Sequence, residues 1–266
     1  MTKLLSLPET VLAHVDGWPI HLANLPTAVE RITAKAKTLS GVGFTVFTLN
    51  LDHLVKLRTQ RAFQDAYAIA DLVTADGAPV AWLSRFANTT VERTTGADLF
   101  VPLARAAARE HLPVFIFGTT MTVLMAAARS LNEATESTIE IAGLLSPSAQ
   151  FDPEGPEADA AIDQIKASGA RLCFVTLGAP KQEVFAARAV AQGCGCAFVC
   201  VGAAADFLAG TQVRAPAVFQ RYGLEWAWRL GTNPRRLAKR YVQCAAVLFD
   251  VVVLDPIRLR LVGREE

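Results

Sequence analysis

The chain has 266 residues, long enough for one large domain or two small ones. A hydrophobic content of 52% guarantees a sizeable core, yet no apolar run reaches the roughly eighteen residues that a spanning helix needs, so none is expected. Five cysteines without framework spacing argue against a disulfide scaffold and for a reducing compartment. The N-terminus shows no basic region followed by an apolar core, so no signal peptide is expected. The net charge of +1 is unevenly spread: residues 1–210 carry 16 basic and 20 acidic side chains, residues 211–266 carry 10 and 5. That asymmetry points to an anionic partner for the C-terminal part: a nucleotide, an anionic lipid or a nucleic acid.

In chain order, 44–49 is an apolar, β-branched strand, and 51–70 follows with helical spacing at Leu54, Leu57, Phe63 and Tyr67. A short strand over 71–75 ends at Asp76-Gly77, which turns into a helix over 79–86. A helix over 96–110, a strand over 114–117, a helix over 123–133, a strand over 139–145 and a helix over 156–168 come next. A strand over 172–177, a helix over 180–192 and a strand over 196–201 complete the series. Short apolar strands separated by helices predict an α/β fold with a doubly wound, mostly parallel, Rossmann-like sheet. Ligands bind such sheets at the carboxyl ends of the strands. Thr48, Asn50, Asp76, Gly118, Gly178 and Gly202 all fall there. Gly41-Val42-Gly43 precedes its strand and is no dinucleotide fingerprint, and there is no P-loop. Cys194, Cys196 and Cys200 lack a fourth partner for a zinc site and read as small apolar side chains beside a strand.

The stretch from Thr176 to Tyr241 is the most informative. Gly178 and Pro180 fit a strand-to-helix turn whose free N–H groups suit an anion, with Lys181, Gln182 and Glu183 opening the helix. Gln182 offers both donor and acceptor to a sugar or base edge. Further on, Arg229, Arg235, Arg236, Lys239 and Arg240 follow Trp226 and Trp228. Arg229, Arg236 and Lys239 recur at a spacing expected to share one helical face. A phosphate-type turn and an Arg-rich cap suit a ligand with several negative charges. No DxD pair occurs, so no paired carboxylates are available to hold a metal on a diphosphate, and no cofactor is expected.

Six segments in order, TLNLDHL, ADLVTADGAP, ERTTGADL, LGAPKQE, VGAAADFLAG with RAP, and GLEW with RL, PRR and RY, resemble the WecG/TagA/CpsF-type glycosyltransferases of bacterial surface-polysaccharide assembly. The resemblance runs from Val15 to Tyr241. It implies an inverting, metal-independent transferase that moves a sugar of glucose or N-acetylmannosamine type from a UDP-sugar to a polyprenyl-diphosphate-linked saccharide. The implied place of work is the cytoplasmic face of the inner membrane, as a peripheral protein. The implied general base is Asp76; on its residues alone it reads as a turn aspartate, and the resemblance reverses that. Thr48 and Asn50 would contact sugar hydroxyls or order Asp76, with a helix N-cap as the alternative for Asn50. Arg93 would meet the diphosphate or pair with a nearby acid, and Asp206 and Arg214 match the pattern or form a structural pair with each other. Arg229, Arg236 and Lys239 would neutralise the departing UDP. Lys239 stands where Arg is usual, and Ala203, Ala205 and Thr120 depart from the family pattern near the donor pocket.

The expected division is an α/β catalytic domain over 1–222 and a basic, apolar helical appendage over 223–266. Within the latter, CAAVLFDVVVL over 244–254 is too short to span and beside a basic stripe suits an anionic lipid surface. Packing on the core or on a second subunit is the alternative. Nucleic acid is not an expected partner, since no helix-turn-helix or RNA-binding signature accompanies the basic segment.

Overall fold

The computed structural model describes residues 10–87, 90–232 and 234–254. The chain opens with a hairpin of β1 (Ala13–Val15) and β2 (Trp18–Ile20), followed by helix α1 (Leu25–Lys37). Strand β3 (Phe44–Leu49) leads through α2 (Leu51–Leu57) and α3 (Arg61–Ala68) to β4 (Leu72–Ala75). Helices α4 (Ala78–Leu83) and α5 (Gly96–Arg109) precede β5 (Val114–Gly118), α6 (Met121–Ala134) and β6 (Ile141–Leu145). Then come α7 (Pro156–Ala167), β7 (Leu172–Thr176), α8 (Lys181–Ala191) and β8 (Ala197–Cys200). The C-terminal part is helical: α9 (Ala204–Leu208), α10 (Ala217–Arg221), α11 (Glu225–Thr232) and α12 (Pro234–Phe249), the last ending in a π-type turn over Asp250–Leu254.

Six strands form one sheet in the order β4-β3-β8-β7-β5-β6, every pairing parallel. Strands β3, β4, β5, β7 and β8 are buried along their whole length. Helices cover both faces, so these strands read as continuous apolar runs rather than alternating ones. Alternation decides only which core a side chain joins. Phe47, Leu49, Val73, Phe117, Val175 and Phe198 face the layer of α2, α3, α7 and α8. Phe44, Val46, Leu72, Ile116, Phe174 and Val199 face α1, α5, α6 and α9. The doubly wound parallel sheet expected from the sequence is therefore present.

Three local features differ from expectation. The stretch 51–70 is two helices, not one: Gln60 is extended, and the Gln64 side chain donates to the Leu57 carbonyl at 2.6 Å, closing the end of α2. The β1–β2 hairpin went unread, although Asp16 and Gly17 at its turn both take positive φ, the conformation for which Asp-Gly is suited. So did α1, which Asn24 caps by accepting from the Thr27 N–H at 3.0 Å, with Pro26 in its first turn.

Helix α12 is docked against α2 and the core cluster. Cys244 and Val247 are buried, and Val247 joins the core cluster around Leu54 and Leu57. Ion pairs flank this contact: Arg240 to Asp52 at 2.9 Å, and Arg58 to both Asp16 and Asp250. One face of 244–254 thus packs on protein, the alternative the sequence left open. The opposite face, Val242, Ala245, Ala246 and Phe249, is exposed.

Candidate active site

The ends of β3 and β4 are tied together at Asp76. Its N–H donates to the Leu49 carbonyl at 2.7 Å, which fixes the residue after β4 against the end of β3. Gly77 has φ +92, a region that L side chains rarely adopt, and starts α4 immediately. The chain therefore turns away and leaves the carboxyl at the sheet edge, half-buried. Asn50 does two jobs. Its carbonyl oxygen accepts from the His53 N–H at 3.0 Å as the N-cap of α2, and its amide hydrogen-bonds the Asp76 carboxylate. The helix N-cap reading of Asn50 holds.

Burial pushes the Asp76 carboxyl up to about 6. The Asn50 bond and the positive charges of Arg229 and Arg93 work against that shift, and Glu225 adds to it. The group is thus a carboxylate at neutral pH, with a proton affinity raised toward the range useful to a general base. Thr48 is buried in β3 opposite Thr74, whose hydroxyl donates to the Thr94 carbonyl at 2.8 Å.

Beside Asp76 lies a closed ring of four charges. Arg214 donates to Asp98 at 2.7 Å and to Glu225 at 3.2 Å, and Arg93 pairs with the same two carboxylates at 3.2 Å each. Asp98 is itself fixed, because it forms a capping box with Thr95 at the start of α5. Burial alone would raise the Asp98 carboxyl, but Arg214 and Arg93 outweigh it and hold it below the usual carboxylate range. This corrects the Asp206–Arg214 pair considered from the sequence. Asp206 instead accepts from Thr211, through its carbonyl at 3.0 Å from the Thr211 N–H, within the turn after α9.

The expected face of Arg229, Arg236 and Lys239 is also corrected. Arg229 lies on α11, and a new helix begins at Pro234, so the residues do not share one helix. Arg229 stacks over the Phe207 ring at 5.3 Å, and its charge reaches Asp76. Lys239 is exposed on α12, and the Arg236 side chain lies outside the described residues.

At the end of β7, Gly178 is exposed and has open space where a Cβ would stand. Lys181 is tethered: its N–H donates to the Gly178 carbonyl and its ammonium to the Phe151 carbonyl at 2.7 Å. Gln182 is only 3% exposed. Its oxygen accepts from the Gly202 N–H at 3.0 Å, and its amide donates to Glu183 at 2.7 Å. That side chain braces the β8 turn against α8 and does not reach out to read a ligand edge. Glu183 is fully buried, near His53 at 3.8 Å, and burial pushes its carboxyl up to about 7. Three strand spacings separate Asp76 from Gly178, on the order of 14 Å at about 4.8 Å per strand.

Sequence reasoning did not single out Glu225, Asp98 or Phe207. Asp98 carried a signal in the Thr-x-x-Asp spacing of its capping box. Glu225 carried another, as an acid in a strongly basic segment.

The model of the Glycosyl transferase WecG/TagA/CpsF family matches residues 13–260. The chain belongs to this family and is a glycosyltransferase of cell-surface polysaccharide synthesis.

Proposed function

We propose that this transferase moves a hexose-type sugar from a UDP-sugar, with inversion and without a metal, to a polyprenyl-diphosphate-linked saccharide. The observation that carries the reading is Asp76: a half-buried carboxylate at the sheet edge, held by Asn50 and faced by the charges of Arg229 and Arg93. In the proposed step, Asp76 takes the proton of the acceptor hydroxyl. The acceptor oxygen forms its bond to the anomeric carbon as the bond to UDP breaks, and UDP leaves with the electron pair. Arg229 and Arg93 supply positive charge where the leaving diphosphate gains negative charge. The donor is of glucose or N-acetylmannosamine type.

No helix among the described residues is long and apolar enough to cross a membrane. A lipid-linked acceptor is reached, in this reading, from a peripheral position on the cytoplasmic face of the inner membrane. The outer side of α12 makes that contact, with Lys239 near its start and Val242 and Phe249 beyond. The domain division at 222/223 follows: the appendage covers the site and meets the membrane, and the α/β part carries Asp76.

The test is a panel of UDP-sugars with a short-chain lipid-diphosphate sugar, read by product mass and anomeric configuration. A product of inverted configuration, formed equally well with EDTA present, is expected. Retention of configuration, or loss of activity in EDTA restored by magnesium or manganese, overturns the proposed mechanism.

A further inference from the structure

Of the four-charge ring only Arg93 enters the chemistry described above, yet the ring joins four elements of the chain. Asp98 belongs to α5, Arg93 and Arg214 to two loops, and Glu225 to the first turn of α11. Three of the four are fixed to the sheet layer or its loops; Glu225 alone comes from the helix that carries Arg229. Its two oxygens are divided, one to the Arg214 guanidinium and one to Arg93. All four side chains are largely withdrawn from solvent, with exposures of 19–24%, so the pairs are screened less than ordinary surface pairs.

Glu225 and Arg229 stand four residues apart on α11, which places them on the same face of the helix. Just before them, Gly223 passes so close to Ala78 that a Cβ there would sit 2.4 Å from the Ala78 methyl. The entry to α11 is therefore pressed against the segment that follows Asp76. Among the described residues, α11 buries no side chain, so apolar packing does little to set its position. Its placement falls to the Gly223 contact, the Glu225 pairs, the stacking of Arg229 on Phe207, and two ring contacts, Trp228 on Phe219 of α10 at 5.5 Å and Trp226 on Tyr241 of α12 at 5.9 Å.

We infer that Glu225 is a positioning residue: by bridging Arg93 and Arg214 it fixes the rotation of α11 and so holds Arg229 against Asp76. It touches neither substrate nor reacting atoms in this scheme. The inference rests on the proposed roles of Asp76 and Arg229 and adds the device that brings them together.

The experiment is a double-mutant cycle on the full chain, with the UDP-sugar that gives turnover. Glu225→Ala is expected to lower kcat by about tenfold or more, the scale of misplacing one catalytic contact, while KM for the donor changes by less than about threefold. Arg229→Ala lowers kcat by itself. In the Arg229→Ala background, adding Glu225→Ala should cost little more, because a residue that acts through Arg229 has nothing left to position. Independent losses that multiply, or a Glu225→Ala enzyme with normal kcat, overturn the inference. Glu225→Gln keeps the side-chain volume and serves if the alanine variant does not fold. Glu225→Asp should recover part of kcat, which a merely space-filling role would not predict. Failure of the underlying reading looks different: Asp76→Asn or Arg229→Ala would then turn over normally.

Discussion

The sheet and the C-terminal helices are held by different forces. Strands β3, β5, β7 and β8 are buried end to end, and their aromatic side chains, such as Phe100 on Phe174 and Phe117 on Phe185, pack at ring distances of 4.4–4.6 Å. Helices α10 and α11 bury nothing, and α12 contributes Cys244 and Val247. Ion pairs reinforce this sparse packing: Glu225 to two arginines, Arg240 to Asp52, Asp250 to Arg58. The difference teaches where stability and adjustability lie. Burial of apolar area is non-directional and large, so the sheet fixes Asp76 and Asn50 in place. Ion pairs are directional and modest, so they orient Arg229 without binding it irreversibly to the core.

The sharpest way to break this comparison is to remove the appendage. A chain ending at residue 222 lacks Arg229 and Glu225 and should lose turnover by more than about a hundredfold, since each charge-assisted contact to a developing charge is worth a few kcal/mol. Far-UV circular dichroism and slow hydrogen exchange in β3 and β5 should report a sheet still formed. Near-normal turnover in that chain would show that the appendage serves no chemistry.

Asp76→Asn comes next. Turnover should fall on the order of a hundredfold, while UDP affinity is kept. The wild-type enzyme should lose activity as pH falls through about 6, where Asp76 takes up its proton. Stability runs the other way. The folded carboxyl binds its proton more tightly than an ordinary aspartate of pKa 3.8, so its folded-state preference is fully present below about 4 and is lost as pH rises through about 6. Asp76→Asn should therefore raise Tm at pH 7 and leave it nearly unchanged at pH 4. A variant that is inactive and also less stable at pH 7 would point to a structural aspartate. Glu183, pushed up to about 7 by burial, adds to the same slope through neutral pH.

How much of this was legible follows from the same division. The sheet could be read because strands buried on both faces appear as unbroken apolar runs, and the strand ends then collect Asn50 and Asp76. The pairing of Arg93 with a nearby acid was legible and holds for Asp98, but Glu225 was not, because it lies 132 residues from Arg93 and 11 from Arg214. A polar pair is chosen by which loops the sheet brings together, and local spacing carries no trace of that. Gln182 misled for a related reason: at a helix start it reads as exposed, but α8 packs so closely on β8 that its amide is consumed by Gly202 and Glu183. The start of α12 did have a signal, Pro234, since proline is favoured at the first helical position.

The two faces of α12 give the smaller tests. Val247 is buried in the core cluster with Leu54 and Leu57. Val247→Ala removes two buried carbon groups and should cost about 1–2 kcal/mol at roughly 0.8 kcal/mol each. A chemical-denaturation midpoint should move by that amount, with little change in kcat. An unchanged midpoint would mean that α12 is detached from α2 in solution.

Phe249 should give the smallest effect of all on the folded protein. It is 57% exposed, with Val242 at 70%, on the side of α12 turned away from α2. Arg235, Lys239, Val242, Ala246 and Phe249 follow one another at steps of four and three, so they form one stripe, basic at its start and apolar toward its end. Such a stripe has no packing partner to lose, and Phe249→Ala should leave Tm and turnover on a water-soluble acceptor within error. On anionic liposomes the same change removes an aromatic group that would insert at the interface, and binding should weaken several-fold, more so when combined with Lys239→Ala. The pair Val247→Ala and Phe249→Ala, two residues apart, then separates the helix into a face that stabilises and a face that docks. Equal liposome binding by Phe249→Ala and the wild type would assign the outward stripe to solvent and remove the membrane contact from the proposed function.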